Sequence, residues 1–152
     1  MNIEIKEVEK GEKEVLRKML EEYEREISPK SEGEYKYFDS YWEKDNRWPF
    51  FIIVDDKIAG FVLVNEYCLV ETGAKDMSEF YIKKEFRQQR IGLKAAHKVF
   101  DKFRGKWEVR EMVENQKAHH FWLKVINEYT GGEFKETKMD DEKWRGWIQT
   151  FG

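Results

Sequence analysis

Cysteine is nearly absent from this sequence: Cys68 stands alone among 152 residues. One thiol closes no internal disulfide and offers no Cys-x-x-Cys metal pair, and a free thiol fits a reducing compartment. Proline is almost as scarce, at two residues. No Pro/Ser-rich linker, low-complexity tract or internal repeat interrupts the chain, so it reads as a single domain over residues 1–152. Long apolar runs are missing as well. The most evident, Phe50 to Val54, falls far short of the roughly 20 residues a membrane helix needs. The first residues, Met1-Asn2-Ile3-Glu4-Ile5-Lys6, alternate charge with apolar side chains, unlike a signal-peptide core. Nor does one sign of charge dominate, since 28 Lys+Arg against 31 Asp+Glu leave −3. The expectation is a cytoplasmic protein with no membrane partner and no nucleic-acid partner held by bulk electrostatics. His97, His119 and His120 lack zinc spacing, so no metal is expected.

Aromatic residues are plentiful, at 16% with six Trp, which excludes a disordered chain despite 39% charged residues. Ile3, Ile5 and Val8 mark a first strand. Val15, Leu16, Met19, Leu20, Tyr23 and Ile27 form one stripe of a helix ended by Ser28-Pro29. Ser31 to Asp45 reads as a second, acidic and aromatic helix. Phe50–Val54, the turn Asp55-Asp56-Lys57 and Ile58–Val64 make a hairpin, and Met77–Ile82 is a further strand. Arg87–Arg104 reads as a helix with Ile91, Ala95, Ala96, Val99, Phe100 and Phe103 inward, closed by Gly105. Trp107–Met112 alternates as a strand, and Asn115 can cap a helix carrying Ala118, Phe121, Trp122, Val125, Ile126 and Tyr129 inward. Gly131-Gly132 ends it, and Phe134 and Trp144–Phe151 supply two last strands. The order β-α-α-β-β-β-α-β-α-β-β points to an α/β domain, a mixed sheet covered by helices.

The stretch Phe80-Tyr81-Ile82-Lys83-Lys84-Glu85-Phe86-Arg87-Gln88-Gln89-Arg90-Ile91-Gly92-Leu93 carries the chemistry. A strand runs through a polar loop into an amphipathic helix, whose first N–H groups and positive dipole end suit a phosphate. Lys83, Lys84, Arg87, Arg90, Lys94 and Lys98 add positive charge; the alternative is a solvated basic helix start. Neither G-x-x-x-x-G-K-[ST] nor G-x-G-x-x-G occurs, which excludes a P-loop or dinucleotide fold.

These residues resemble the GNAT superfamily of acetyl-CoA-dependent N-acetyltransferases. Its pattern, [R/Q]-x-x-G-x-[G/A] opening a helix, is met by Arg87 to Gly92 with one departure, Arg90 where glycine is usual. Its N-x-x-A-x-x-[aromatic/aliphatic]-Y element is met by Asn115, Ala118, Phe121 and Trp122, with Trp122 at the tyrosine position. The tail FWLKVINEYTGGEF is similar to a subgroup of bacterial predicted acetyltransferases. The resemblance implies a mostly antiparallel sheet of six to seven strands, helices on both faces and a splayed central parallel pair. It implies that Phe80, Tyr81 and Ile82 pair with pantetheine, that the backbone of Gln88, Gln89, Arg90, Ile91 and Gly92, with Leu93, cradles the pyrophosphate, and that Arg87 belongs to the same cofactor site. The Arg90 side chain either reaches the adenosine phosphates or is a surface arginine, and Asn115 either touches pantetheine or only caps its helix. Arg90 is expected to have a negative φ, the helix having already begun.

The implied reaction is direct attack of a primary amine on the thioester of acetyl-CoA, with no metal. Glu79 is the preferred proton acceptor and Asp76 the alternative, with a strand-edge ion pair open for either and ordered water also open. Tryptophan has no acidic proton to give, so Tyr129 or Tyr81 is considered as the acid; a thiolate with a pKa near 8.5 also leaves unaided. The acidic aromatic segment, with Glu34, Tyr35, Tyr37, Asp39, Tyr41, Trp42 and Glu43, suits a small cationic amine. A non-catalytic acyl-CoA sensor is the alternative, and a homodimer through the final strands is possible.

Overall fold

The computed structural model describes residues 1–27 and 36–152. The expected helix break at Ser28-Pro29, and the part of the acidic segment from Ser31 to Tyr35, lie outside these residues. Seven strands form one mostly antiparallel sheet in the order β1-β2-β3-β4-β5-β7-β6. In chain order the elements are β1 (Ile3–Glu7), α1 (Lys13–Ile27), α2 (Ser40–Glu43), β2 (Arg47–Val54), β3 (Lys57–Asn65), β4 (Lys75–Ile82), α3 (Ile91–Lys102), β5 (Trp107–Met112), α4 (Gln116–Thr130), β6 (Lys135–Asp140) and β7 (Arg145–Phe151). The sheet and its helices match the expected fold. The described residues divide into two compact units. No helix among them is long and apolar enough to cross a membrane.

The first unit comprises residues 1–64 and 79–92. β1 and β2 pair antiparallel with Ile5 opposite Ile52. Asp55 and Asp56 turn the next hairpin with φ of 47° and 68°, the left-handed pair that matches strand twist in a two-residue loop. α1 buries Leu16, Met19 and Leu20 against Phe51, Phe61, Leu63 and Tyr81. Each such aliphatic side chain contributes about 1.5–3 kcal/mol of burial. Val15 and Ile27, expected inward, are 46% and 49% exposed; the buried stripe is narrower than the apolar one, and both residues stand at its margins. Gly60 lies where β3 meets β4: a Cβ there would sit 2.0 Å from the Tyr81 carbonyl oxygen. Only a residue without a side chain lets the two backbones approach so closely.

The second unit comprises residues 65–78 and 93–152. α3 buries Ala95, Ala96, Val99 and Phe100, and the Phe100 ring meets those of Trp107, Tyr129 and Phe151 at centroid distances of 5.0 Å each. The Asn115 side chain accepts the Ala118 N–H at 3.1 Å, capping α4 as expected. Gly131, at φ +66°, closes it. β5 and β7 pair antiparallel along their length, with Glu111 opposite Trp147. The parallel pairing of β4 with β5 is short, placing Lys75 opposite Trp107 and Asp76 opposite Glu108.

The helix expected from Arg87 starts later. A 3-10 turn covers Lys84–Phe86, Gln89 and Arg90 have φ of +55° and +60°, and α3 begins at Ile91. The expected negative φ at Arg90 is therefore corrected. Arg90 occupies the left-handed conformation that explains why glycine is usual there.

Candidate active site

The end of β4 gathers most of the expected residues of the first unit. Glu79 is half-buried, and the Tyr23 hydroxyl of α1 donates to its Oε2 at 2.5 Å. The Tyr23 ring packs edge-on against Phe61 and Tyr81, with centroids 5.5 and 5.6 Å apart. α1 thus supplies a rigid aromatic wall whose polar tip holds one carboxylate, an arrangement favoured by the short charge-assisted O–H···O bond. Burial, followed by the charges of Glu26 and Glu22, pushes the Tyr81 phenol above its ordinary pKa. Tyr81 therefore stays protonated at neutral pH.

Arg87 has a local task. Its Nε donates to the Ile82 carbonyl at 2.7 Å and its Nη2 to Glu26 at 2.6 Å, while the guanidinium lies 5.6 Å from the Tyr81 ring centroid. The hydrogen bond to Glu26 raises its pKa further. This cation pins the loop to the end of β4 and to α1. Lys84 and Arg90 of the loop are exposed, as are Lys94 and Lys98 of α3. At its apex Gln89 and Arg90 turn the chain left-handed into α3, and the Ile91 N–H bonds the Gln88 carbonyl at 3.2 Å. Successive N–H groups in such a turn, opening on a helix N-terminus, form an anion-binding concavity.

Asp76, the alternative base, lies in the second unit and is 1% exposed. Arg110 Nη2 contacts its Oδ2 at 3.1 Å, and Arg110 Nη1 contacts Glu108 Oε2 at 3.1 Å. Glu108 also accepts the backbone N–H groups of Leu69, Val70 and Glu71 at 2.8–3.0 Å. Burial raises the Asp76 pKa to about 7; Arg110 lowers it and the Glu108 charge raises it again. Asp76 is thus an interior member of an ion cluster, the ion-pair alternative left open for it. Cys68 donates to the Ala74 carbonyl at 3.3 Å, and burial with the charges of Glu108 and Asp76 pushes its thiol up to about 12. That places it outside nucleophilic chemistry.

Tyr129 donates its hydroxyl to Asp101 at 2.8 Å, and burial and Asp101 together raise its pKa. It lines a cavity of about 280 Å³ with Phe100, Arg104, Trp107 and Phe151. The structure does not bring it together with Asn115, which sits at the other end of α4. Trp122 is 6% exposed and packs against Phe121 and Phe100.

The family model of the acetyltransferase (GNAT) family matches residues 14–126. The chain belongs to this family. No curated protein sequence matches it. Solved structures similar to this GNAT chain include an acetyltransferase from Thermus thermophilus, 13% identical with a TM-score of 0.70, covering 99% of this chain and 97% of that one. A spermidine N-acetyltransferase from Vibrio cholerae in complex with CoA and spermine is 14% identical with a TM-score of 0.66, covering 97% and 93%. A PaiA N-acetyltransferase from Thermoplasma acidophilum in complex with coenzyme A is 16% identical with a TM-score of 0.63, covering 99% and 98%. At such identities the likeness is one of fold.

Two pairings of candidate residues, one in each unit, escape sequence reading. Tyr23 reads as one more apolar position of α1, and Arg110 as an ordinary strand cation; their partners are 56 and 34 residues away. The acidic aromatic segment also departs from expectation. Lys13 and Arg17 stand over Phe38, Lys13 over Trp42, Lys36 over Tyr37, and Arg47 over Tyr37 and Tyr41. Tyr41 is buried, and Asp39 bonds Lys13 at 2.8 Å. Where the segment is described, its aromatic faces already meet cations of the chain itself.

Proposed function

We propose that this GNAT protein moves an acetyl group from acetyl-CoA to the primary amine of a small cationic molecule. The observation that carries the reading is the left-handed turn at Gln89 and Arg90 opening directly on α3. Its backbone, from Gln88 to Gly92, fits a pyrophosphate, with Arg90 adding charge at the rim. The strand residues Phe80, Tyr81 and Ile82 are the positions for pantetheine. On α4 the resemblance offers Ala118, Phe121, Trp122 and Asn115, but the Asn115 side chain already serves the helix cap. The reading therefore rests on the residues of the first unit.

Acetyl-CoA supplies an activated thioester, whose carbonyl carbon takes the amine nitrogen as the C–S bond breaks. Glu79, held by Tyr23, takes the proton that the amine must lose before or during attack. A backbone N–H of β4 steadies the developing oxyanion, a contribution of about 3–4 kcal/mol in other enzymes. Behind burial, Glu26 and Glu22 raise the Tyr81 phenol while Arg87 opposes them; these carboxylates, with Glu79 beside the proposed acetyl site, favour a cationic acceptor. The V. cholerae neighbour, solved with spermine, supports a polyamine-like amine.

The test is calorimetric titration with acetyl-CoA and with desulfo-CoA, beside an Arg90→Glu variant, followed by thiol release with polyamines, aminoglycosides, amino acids and a peptide N-terminus. Micromolar binding weakened about tenfold in the variant, with turnover of a polyamine or aminoglycoside, is the expected result. Turnover of the peptide alone overturns the substrate class. Absence of binding by the wild type overturns the whole reading. A second reading, an acyl-CoA sensor without turnover, is favoured by Trp122, whose indole has no acid proton; it predicts binding with no release of thiol to any amine.

A further inference from the structure

Three side chains of the second unit, none of them given a role above, converge. Glu111 of β5, His119 of α4 and Glu136 of β6 offer ligand atoms that all lie within 4.8 Å of one another. Strand register explains the convergence: Glu136 is opposite Gln149, and Gln149 lies two residues from Trp147, which is opposite Glu111. Alternation then puts Glu111, Glu136, Trp147 and Gln149 on one face of the sheet.

Each donor is oriented by a neighbour. The Gln149 amide nitrogen donates to Glu111 Oε1 at 2.7 Å and to Glu136 Oε1 at 2.8 Å, so one fully buried amide aligns both carboxylates. The His119 ring stacks on Trp147, with centroids 3.8 Å apart and planes 4° from parallel. His119 Nε2 stands 2.7 Å from Glu136 Oε1. Metal ligands are held by neighbouring groups in this way.

A separate observation bears on what the cluster could hold. Glu111 is 3% exposed, yet its Oε2 is buried with no hydrogen-bond partner, as is Gln149 Oε1. No lysine or arginine among the described residues pairs with Glu111 or Glu136. His119 and Glu136 are 14% and 32% exposed in their side chains, which leaves a path from solvent.

We propose that Glu111, His119 and Glu136 form a binding site for a divalent transition-metal ion of the Zn²⁺ class. One imidazole and two carboxylates suit such an ion. Ligands about 2.1 Å from a common zinc stand roughly 3.4 Å apart, so the three donors close slightly, and the His119–Glu136 bond opens to admit the ion. Binding requires neutral imidazole and ionised carboxylates and therefore releases protons.

The experiment uses tag-free protein stripped with chelator, then dialysed against Zn²⁺, with metal content measured and cobalt(II) absorption recorded in parallel. The proposal expects one ion per chain, visible-range cobalt bands of a mixed nitrogen and oxygen site, proton release on Zn²⁺ addition, and a Tm raised by about 5–10 °C at a hundredfold excess over Kd. His119→Gln and Glu136→Gln each lower affinity at least tenfold; circular dichroism checks that both are folded. Metal-free dialysed protein, or binding equally strong in both folded variants, overturns the proposal. If either variant fails to fold, the cobalt spectrum and proton release of the wild type decide: a spectrum of water-coordinated cobalt with no protons released also overturns it.

Discussion

Replacing Arg110 with methionine removes the one guanidinium that contacts both Asp76 and Glu108 while keeping a similar apolar stem. The Asp76 and Glu108 side chains are 2% and 0% exposed, and that of Arg110 is 17% exposed. Breaking a buried pair by deleting one partner costs about 3–5 kcal/mol, which in a domain of this length lowers Tm by about 6–20 °C. Part of that loss depends on pH, with a definite sign. The folded-state pKa of Asp76 is about 7, above its ordinary 3.8. The native chain therefore holds a proton that the unfolded chain has lost, and the contribution of Asp76 to stability falls as pH rises from about 4 to about 7. Above that both states are ionised and this contribution is flat. In Arg110→Met the lowering influence of the guanidinium is gone, so the native pKa moves higher and the decline continues past 7. At about 1.4 kcal/mol per pH unit, the deficit of the variant grows by up to about 2 kcal/mol between about pH 7 and about pH 8.5. Urea denaturation of both proteins at about pH 5.5, 7 and 8.5, followed by circular dichroism, measures it. A deficit that is the same at all three values refutes the argument, as does one below about 1 kcal/mol.

Three further outcomes follow from local geometry. Gly60→Ala forces a methyl group against the Tyr81 carbonyl and lowers stability by about 1–3 kcal/mol or more; unchanged calorimetric melting contradicts the close approach. Arg90→Gly relieves a left-handed residue of about 1–2 kcal/mol and returns about 0.5–1 kcal/mol as chain entropy, so melting rises slightly or stays level, whereas Arg90→Val melts lower. The reverse order would mean that φ at this position is not left-handed. Under the proposed acetyl transfer, Glu79→Gln lowers kcat about 100-fold or more with acetyl-CoA affinity unchanged, and Tyr23→Phe lowers it less; full activity in Glu79→Gln assigns the proton to another acceptor.

Local chemistry made much of the fold legible. The hairpin, the strand Trp107–Met112, the Asn115 cap and the glycine stop after α4 each follow from a few adjacent residues, and the structure has them all. The late start of α3 was hidden because its two left-handed residues are glutamine and arginine, which carry none of glycine's signal. The site was half legible. Backbone positions of the proposed phosphate loop come from a contiguous motif, but Tyr23 meets Glu79, and in the other unit Arg110 meets Asp76, only through tertiary packing. In the acidic segment, composition gave the right residue types and the wrong emphasis: the cations that face those rings come from α1, β2 and Lys36.

The turn at Gln89 and Arg90 has a consequence for how a ligand would be received. A glycine at either position would roam much of backbone space in the free protein and surrender that freedom whenever an anion was held. Two side-chain-bearing residues have fewer conformations to visit than glycine, and Arg87 ties the loop that leads into them to Ile82 and Glu26. The strain is met during folding, before any ligand arrives. The cradle is then rigid in advance, and less of the binding energy is consumed in ordering it.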